Sequence, residues 1–171
     1  FPNKMEPYWG TTNPSDYKYN KDVFTLAVKC ASDFITKHEN ENTDERRAQV
    51  AFLQYLLFQV KNVSPTHYIS SNQLVAVIRE YLNHRITKNF LFRRVIAPLR
   101  DDGIIIASCS HGYKIPVSVE DITTYLNQTH TIVSPMLHRV EVCRKLVLEN
   151  THGKFDILDD PAFIRYKKYF D

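Results

Sequence analysis

The sequence predicts a mainly helical fold that carries one small β-hairpin, and three observations support this prediction. Apolar residues recur at three- and four-residue steps over most of residues 22–100, as they do along the buried face of a helix. Gly103 and Gly112 enclose a short apolar stretch, Ile104–Ala107, which has the length of a strand. A longer helical pattern then starts at Ser118 and continues to about residue 150.

Cap and stop signals place the individual elements. Four helices are predicted at 22–38, 44–62, 72–84 and 88–100. The expected N-caps of the last three are Thr43, Ser70 or Ser71, and Thr87. Gly103 ends the fourth helix, and Pro98 is expected to kink that helix or fray its last turn because proline cannot donate a backbone hydrogen bond. Two strands are predicted at about 104–107 and 113–116, joined by the turn SCSHG.

The order helix, helix, turn, helix, hairpin is that of a winged helix-turn-helix. In this module three helices pack together and the third lies in the major groove of DNA, beside the hairpin or wing. The sequence therefore predicts a winged-helix domain at 44–116. An N-terminal arm and helix (1–43) precede it, and a C-terminal helical extension (117–171) follows. The aromatic residues of the proline-rich arm, 1–20, are expected to dock on a surface.

Positive charge is concentrated on the fourth helix. Residues 85–100 contain five Lys or Arg and no acid, although the formal net charge of the whole chain is only +3. Because phosphate neutralisation drives nucleic-acid affinity, we expect docking on double-stranded DNA through helix 88–100 and wing 104–116. The expected contacts are Arg85, Lys88, Asn89, Arg93, Arg94, Arg100, His111 and Lys114. Two alternatives stay open: these arginines are only a solvated helix face, or the module binds protein.

A heptad seam runs along the last long helix. Apolar residues step by four and three from Ile122 to Val147, a spacing typical of helices that pair side by side. The seam predicts a homodimer or, alternatively, packing on the first two helices of the same chain. The expected dimerisation residues are Ile122, Leu126, Val133, Met136 and Val140. Ser134-Pro135 predicts two helices that meet at Ser134, and a last short helix is expected near Pro161.

Patterns that indicate chemistry are missing from the sequence. The three cysteines are far apart and form no CxxC, and no Cys or His pair belongs to a recognisable zinc motif. The sequence contains no phosphate-binding glycine loop. We therefore expect no enzyme activity, no catalytic residue, no metal and no cofactor. Widely spaced cysteines and the lack of an apolar stretch of about eighteen residues indicate a reduced, cytoplasmic protein without a membrane span.

Two stretches resemble known modules. LRDDGIIIASCSHGYKIPVSVEDI is similar to the wing region of winged-helix modules in phage and bacterial regulators, which carry an "LR..G..I.S...GY" string before a helix opened by acids. Residues 85–160 resemble the C-terminal extension of a bacterial family of unknown function. RRVIAPLRDDGIIIAS, GYKIP and PMLHRVEVCRK carry this second resemblance.

The main domain of that family is predicted to be RNase-H-like and is often encoded near mobile or defence genes. The resemblance implies fold and context, with the catalytic acids in an upstream domain. It is consistent with a chain that does not start with Met and is expected to be part of a longer bacterial or phage protein. A third interpretation of the chain is therefore a non-catalytic fragment of a nuclease-like enzyme.

Overall fold

The computed structural model describes residues 18–171. Most of the predicted arm, including all of its aromatic residues except Tyr19, lies outside the described residues. The Tyr19 ring is half-buried and meets the edge of Phe24, with 6.2 Å between the ring centroids. None of the helices within residues 18–171 has the length and apolarity that a membrane span requires.

The first three helices begin where capping side chains predict. They are α1 (Lys21–His38), α2 (Asp44–Asn62) and α3 (Ser71–Leu82). In each helix the N-cap side chain accepts a hydrogen bond from a backbone amide of the first turn. The pairs are Asn20 with Val23, Thr43 with Arg46, and Ser70 with Gln73. Ser70 is therefore the cap of α3, and Ser71 is its first helical residue.

The fourth helix, α4, is a continuous helical run with an unusual middle. It has an α-helical start (Lys88–Phe90), a π-helical stretch (Leu91–Ile96) and an α-helical end (Ala97–Asp101). The cap at Thr87 is confirmed, because its hydroxyl accepts from the Phe90 amide at 3.0 Å. The last turn at Pro98 is not frayed, since Ala97–Asp101 is α-helical; the irregularity precedes it, in the wider π-helical turn, where the amide after Ile96 donates to a carbonyl five residues back.

Pro98 leaves one carbonyl of α4 without its usual donor, and a side chain from α2 replaces it. In a regular α-helix the amide of residue 98 would donate to the carbonyl of Arg94. Gln49, which is 3% exposed, donates from Nε2 to this carbonyl at 2.8 Å. Its Oε1 accepts from Nη1 of Arg46 at 3.0 Å. This bridge fixes the π-helical turn to α2.

Gln49→Leu is expected to lower the free energy of unfolding by about 1–3 kcal/mol, because the Arg94 carbonyl loses its donor while the side-chain volume is nearly kept. Urea denaturation of the purified variant measures the loss. Gln54→Leu is the matched control, since Gln54 is exposed on the same helix and should tolerate the change. Equal midpoints for the two variants would contradict this role of Gln49.

The hairpin is tighter than the sequence predicts. Strands β1 (Ala107–Cys109) and β2 (Gly112–Lys114) are antiparallel and are joined by only two residues. The strands predicted at 104–107 and 113–116 are therefore shifted toward each other. Ile69, in the segment between α2 and α3, forms a bridge with Tyr113: each backbone amide donates to the other carbonyl, at 2.8 and 2.9 Å.

Gly103 ends α4, as predicted. It adopts φ +88°, in the left-handed region. Its amide donates to the carbonyl of Arg100, and the Ile104 amide donates to the carbonyl of Leu99, both at 3.0 Å. This pair of bonds is the Schellman motif, which satisfies the last carbonyls of a helix and turns the chain toward the hairpin.

One hydrophobic core joins the first four helices and the hairpin. Each element contributes a fully buried side chain: Phe24 (α1), Phe52 (α2), Leu74 (α3), Leu91 (α4) and Ile115, just after β2. Because α1 shares this core, the predicted boundary at 43/44 does not separate two structural units. Nor does the predicted boundary at 116/117, since the chain divides into compact units after Leu126.

The second unit, Asn127–Asp171, contains most of the long helix α5 (Val119–Asn150) and a tail. α5 continues through Pro135, so the predicted break at Ser134 is wrong. Pro135 removes the amide that would bond the Thr131 carbonyl, and the residues around it are exposed, so water can satisfy that carbonyl.

The tail folds back on the C-terminal part of α5. It forms two 3₁₀ turns, Ile157–Asp159 and Ile164–Tyr169, instead of the short helix predicted near Pro161. Arg144 on α5 binds Asp156 at 2.9 Å and Asp171 at 2.8 Å. The hydrogen bonds from the Arg144 guanidinium lower the pKa of Asp156 to about 2.

Candidate nucleic-acid interface

The turn between α3 and α4 is fixed to the start of α2. α3 ends at Asn83, whose φ of +60° is left-handed. His84 follows, with Nε2 2.9 Å from the Asp44 carboxylate and Nδ1 3.1 Å from the carbonyl of Arg85. The bond to the Arg85 carbonyl, and then the Asp44 carboxylate, raise the pKa of His84. These contacts set the backbone of Arg85 immediately before α4.

Uncompensated positive charge lies just before α4 and along its N-terminal half. Arg85, Lys88 and Arg93 are exposed, and their side chains form no ion pair or hydrogen bond within residues 18–171. The first turn of α4 also has free backbone amides, which favour anions at a helix N-terminus. These three side chains, with Asn89, form what we call the α4 face.

The π-helical turn arranges the α4 face. Four residues exceed one α-helical turn and fall short of one π-helical turn, so over a run that combines the two, residues four apart lie nearly in line along the helix. Asn89, Arg93 and Ala97 are exposed at this spacing. An amide, a guanidinium and a methyl group are the groups that contact adenine, guanine and the thymine methyl in the major groove. Phe92 lies beside this line, 43% exposed, with its ring centroid 6.1 Å from that of Tyr113.

Arg94 is exposed but compensated. Its Nη1 lies 3.2 Å from Oε1 of Glu45 on α2, and both side chains are about half exposed. An ion pair at such a position contributes about 0–1 kcal/mol, so Arg94 can exchange Glu45 for a phosphate at little cost. In the free protein, however, it adds no net charge to the α4 face.

Arg100 does not belong to the α4 face, which corrects the prediction made from its charge. Its Nη2 donates to the Ile106 carbonyl at 2.7 Å and to the hydroxyl of Ser108 at 3.0 Å. The guanidinium lies over the Tyr125 ring, 3.8 Å from the centroid. Burial lowers the pKa of Arg100, but a guanidinium stays charged at neutral pH. Arg100 therefore holds α4, the hairpin and the start of α5 together.

Lys114 is also turned inward, so the predicted DNA contact is not available at this residue. It is 2% exposed. Its Nζ donates to Asp121 Oδ2 at 2.6 Å and to the carbonyl of Pro65. The Tyr68 hydroxyl donates to the other carboxylate oxygen at 3.3 Å, and the Val117 amide donates to Oδ2 at 2.9 Å. Burial lowers the pKa of Lys114 and raises that of Tyr68.

His111 is the predicted wing residue that remains exposed. It lies in the two-residue turn between β1 and β2, and its backbone amide donates to Sγ of Cys109 at 3.3 Å. Its side chain is therefore placed at the tip of the hairpin, where a winged-helix module contacts the DNA backbone.

Two important residues were missed by sequence reasoning. Phe92 lies in sequence between Asn89 and Arg93 of the α4 face. An aromatic residue among polar ones on a helix could have indicated a contact residue from the sequence alone. Asp121 received no site role from the sequence, whereas it is the 6%-exposed partner of Lys114. No local pattern indicates that second role.

The chain matches no protein-family model, no curated protein and no solved structure.

Proposed function

We propose that this chain is a winged helix-turn-helix module that binds double-stranded DNA through the α4 face. The element order supports this fold: α3 and α4 are joined by a short turn, and a hairpin follows. A single bridge between Ile69 and Tyr113 joins the segment before α3 to that hairpin. The observation that carries the function is the set of three exposed cations, Arg85, Lys88 and Arg93, without acidic partners in the described chain.

In this proposal, binding is docking without chemistry. The N-terminal half of α4 enters the major groove, where Asn89 and Arg93 reach base edges. Arg85 and Lys88 bind phosphates on the groove's rim, and His111 on the hairpin contacts the backbone. Each neutralised phosphate contributes about −0.9 to the slope of log affinity against log salt, so the two phosphate-binding cations, Arg85 and Lys88, predict a slope of about −1.8.

Fluorescence anisotropy with a random duplex, at several salt concentrations, tests the proposal. Lys88→Glu/Arg93→Glu is expected to abolish the salt-sensitive binding of the wild type, because a phosphate-binding and a base-reading cation are both replaced by carboxylates that the DNA repels. The milder Lys88→Ala should reduce the magnitude of the salt slope by about 0.9. Arg94 is unsuitable for charge reversal, since a carboxylate there would also repel Glu45.

Lys21→Glu/Lys37→Glu is the control. It changes the net charge by the same amount at two exposed residues of α1. Binding by the control but not by the α4 variant supports the proposal. Equal loss in both variants, or no wild-type binding at low salt, would overturn it.

A protein-contact module is the second candidate, and the half-exposed Phe92 beside Tyr113 favours it. Under that interpretation the wild type and both charge variants give the same flat anisotropy. The resemblance of residues 85–160 implies a larger bacterial or phage protein, and under either interpretation we propose that the module positions an upstream catalytic domain there.

A further inference from the structure

The second unit has almost no hydrophobic core of its own. Within residues 127–171, all of which the structure describes, Leu158 is the one large apolar side chain that is buried. Twelve large apolar side chains of the same segment are exposed. Exposed apolar residues in this density mark a surface that is covered by a partner.

The exposed residues on α5 share one side of the helix. We define the α5 stripe as Ile132, Val133, Met136, Leu137, Val140 and Leu146, which are 36–64% exposed. Helical geometry places them within about half of the circumference, and the opposite half is mostly polar, with Val142 as an exposed apolar residue on it. The polar half includes Thr131, His138, Glu141 and Lys145.

The tail covers only one end of the stripe. A small apolar cleft between α5 and the tail is lined by Val140 and Cys143 on the helix and by Leu158 and Phe163 on the tail. The N-terminal part of the stripe, from Ile132 onward, stays exposed. Of the five residues predicted for dimerisation, Val133, Met136 and Val140 belong to the stripe, Leu126 is 52% exposed and Ile122 is partly buried.

We propose that a second copy of this chain packs on the α5 stripe and forms a homodimer. Within the stripe, Val133, Met136 and Val140 follow the three- and four-residue steps of the heptad seam, which allow two identical helices to interdigitate. The exposed apolar area is roughly 600 Å² per chain, close to the ~800 Å² per partner of a standard interface. The stripe itself contains no acidic residue, so it offers no charge that would attract a strongly basic partner.

This dimer does not depend on DNA binding, and its test contains no DNA. Sedimentation equilibrium of the whole chain is expected to give twice the 20.0 kDa monomer mass. Val133→Glu/Met136→Glu should weaken association by about 100-fold or more, because it buries two like charges at the centre of the interface. Both residues are exposed in the monomer, so the helical content seen by circular dichroism should not change.

Thr131→Glu/His138→Glu is the matched control, with two added charges on the polar half of α5. This variant should remain a dimer. A wild-type monomer at about 100 μM, equal dissociation of both variants, or a dimer that the stripe variant leaves intact would overturn the proposal. None of these results bears on the anisotropy assay, since a monomer can still carry the α4 face.

Discussion

Replacing Gly112 by alanine is expected to separate the hairpin from the segment before α3. A Cβ atom at residue 112 would lie 2.1 Å from the Ile69 carbonyl oxygen and 2.5 Å from its carbon. Both atoms are backbone, so no side-chain rotation can relieve the overlap. Gly112 also adopts φ +143°, which L-residues rarely adopt. The bridge between Ile69 and Tyr113 would have to break.

We expect Gly112→Ala to lower the free energy of unfolding by at least about 3 kcal/mol, at the upper end for a point substitution. Urea denaturation measures this quantity. Gly103→Ala is the control, because Gly103 also has a positive φ but no atom within 4 Å of the added Cβ. Gly103→Ala should lower the free energy of unfolding only by the cost of holding an L-residue in the left-handed conformation, about 1–2 kcal/mol. Equal losses for the two variants would show that the close approach to Ile69 is not limiting.

Asp121→Asn is expected to be nearly as damaging, because it leaves the Lys114 ammonium buried without a counter-charge. Removing one partner of a buried ion pair typically costs about 3–5 kcal/mol. The asparagine keeps the shape of the side chain and an oxygen for the Val117 amide. The decrease in the free energy of unfolding would therefore measure the loss of the carboxylate charge and not a change in packing.

A double-mutant cycle separates the pair from its surroundings. Lys114→Met/Asp121→Asn should recover much of the stability lost in Asp121→Asn, since the buried charge is gone and a similar volume is kept. Urea denaturation of the wild type, both single variants and the double variant gives the coupling energy. A single-variant loss below about 0.5 kcal/mol, or no recovery in the double variant, would mean that the pair is not energetically coupled.

The parts of the fold that depend on neighbouring residues could be predicted from sequence. Thr43, Thr87 and Gly103 act within one turn of their own positions, and all three predictions are confirmed. The strand positions were wrong because Ile69, more than forty residues before β2, sets where that strand pairs. The break expected at Ser134 was wrong because one proline costs a helix a single hydrogen bond, which water replaces on an exposed surface.

The candidate site shows the same limit. Sequence could locate the cluster of cations on α4 but not determine which cations are compensated. Arg94 is neutralised by Glu45, Arg100 lies over Tyr125, and each partner is distant in sequence or lies in another element. Of the six Lys and Arg residues predicted to contact DNA, three are compensated or turned inward: Arg94 by Glu45, Arg100 by Tyr125 and Lys114 by Asp121. The other three remain on the α4 face.

The start of α5 carries the groups that accommodate two buried cations of the neighbouring elements. Asp121 neutralises Lys114, and Tyr125 lies against Arg100. At the other end of the unit, the Asn20 amide donates to the carbonyl of Val117 at 2.8 Å. A proteolytic fragment of residues 44–116 would therefore keep Lys114 and Arg100 but lose Asp121 and Tyr125, the side chains that stabilise these two cations. The smallest piece able to fold autonomously extends from about residue 20 to residue 125.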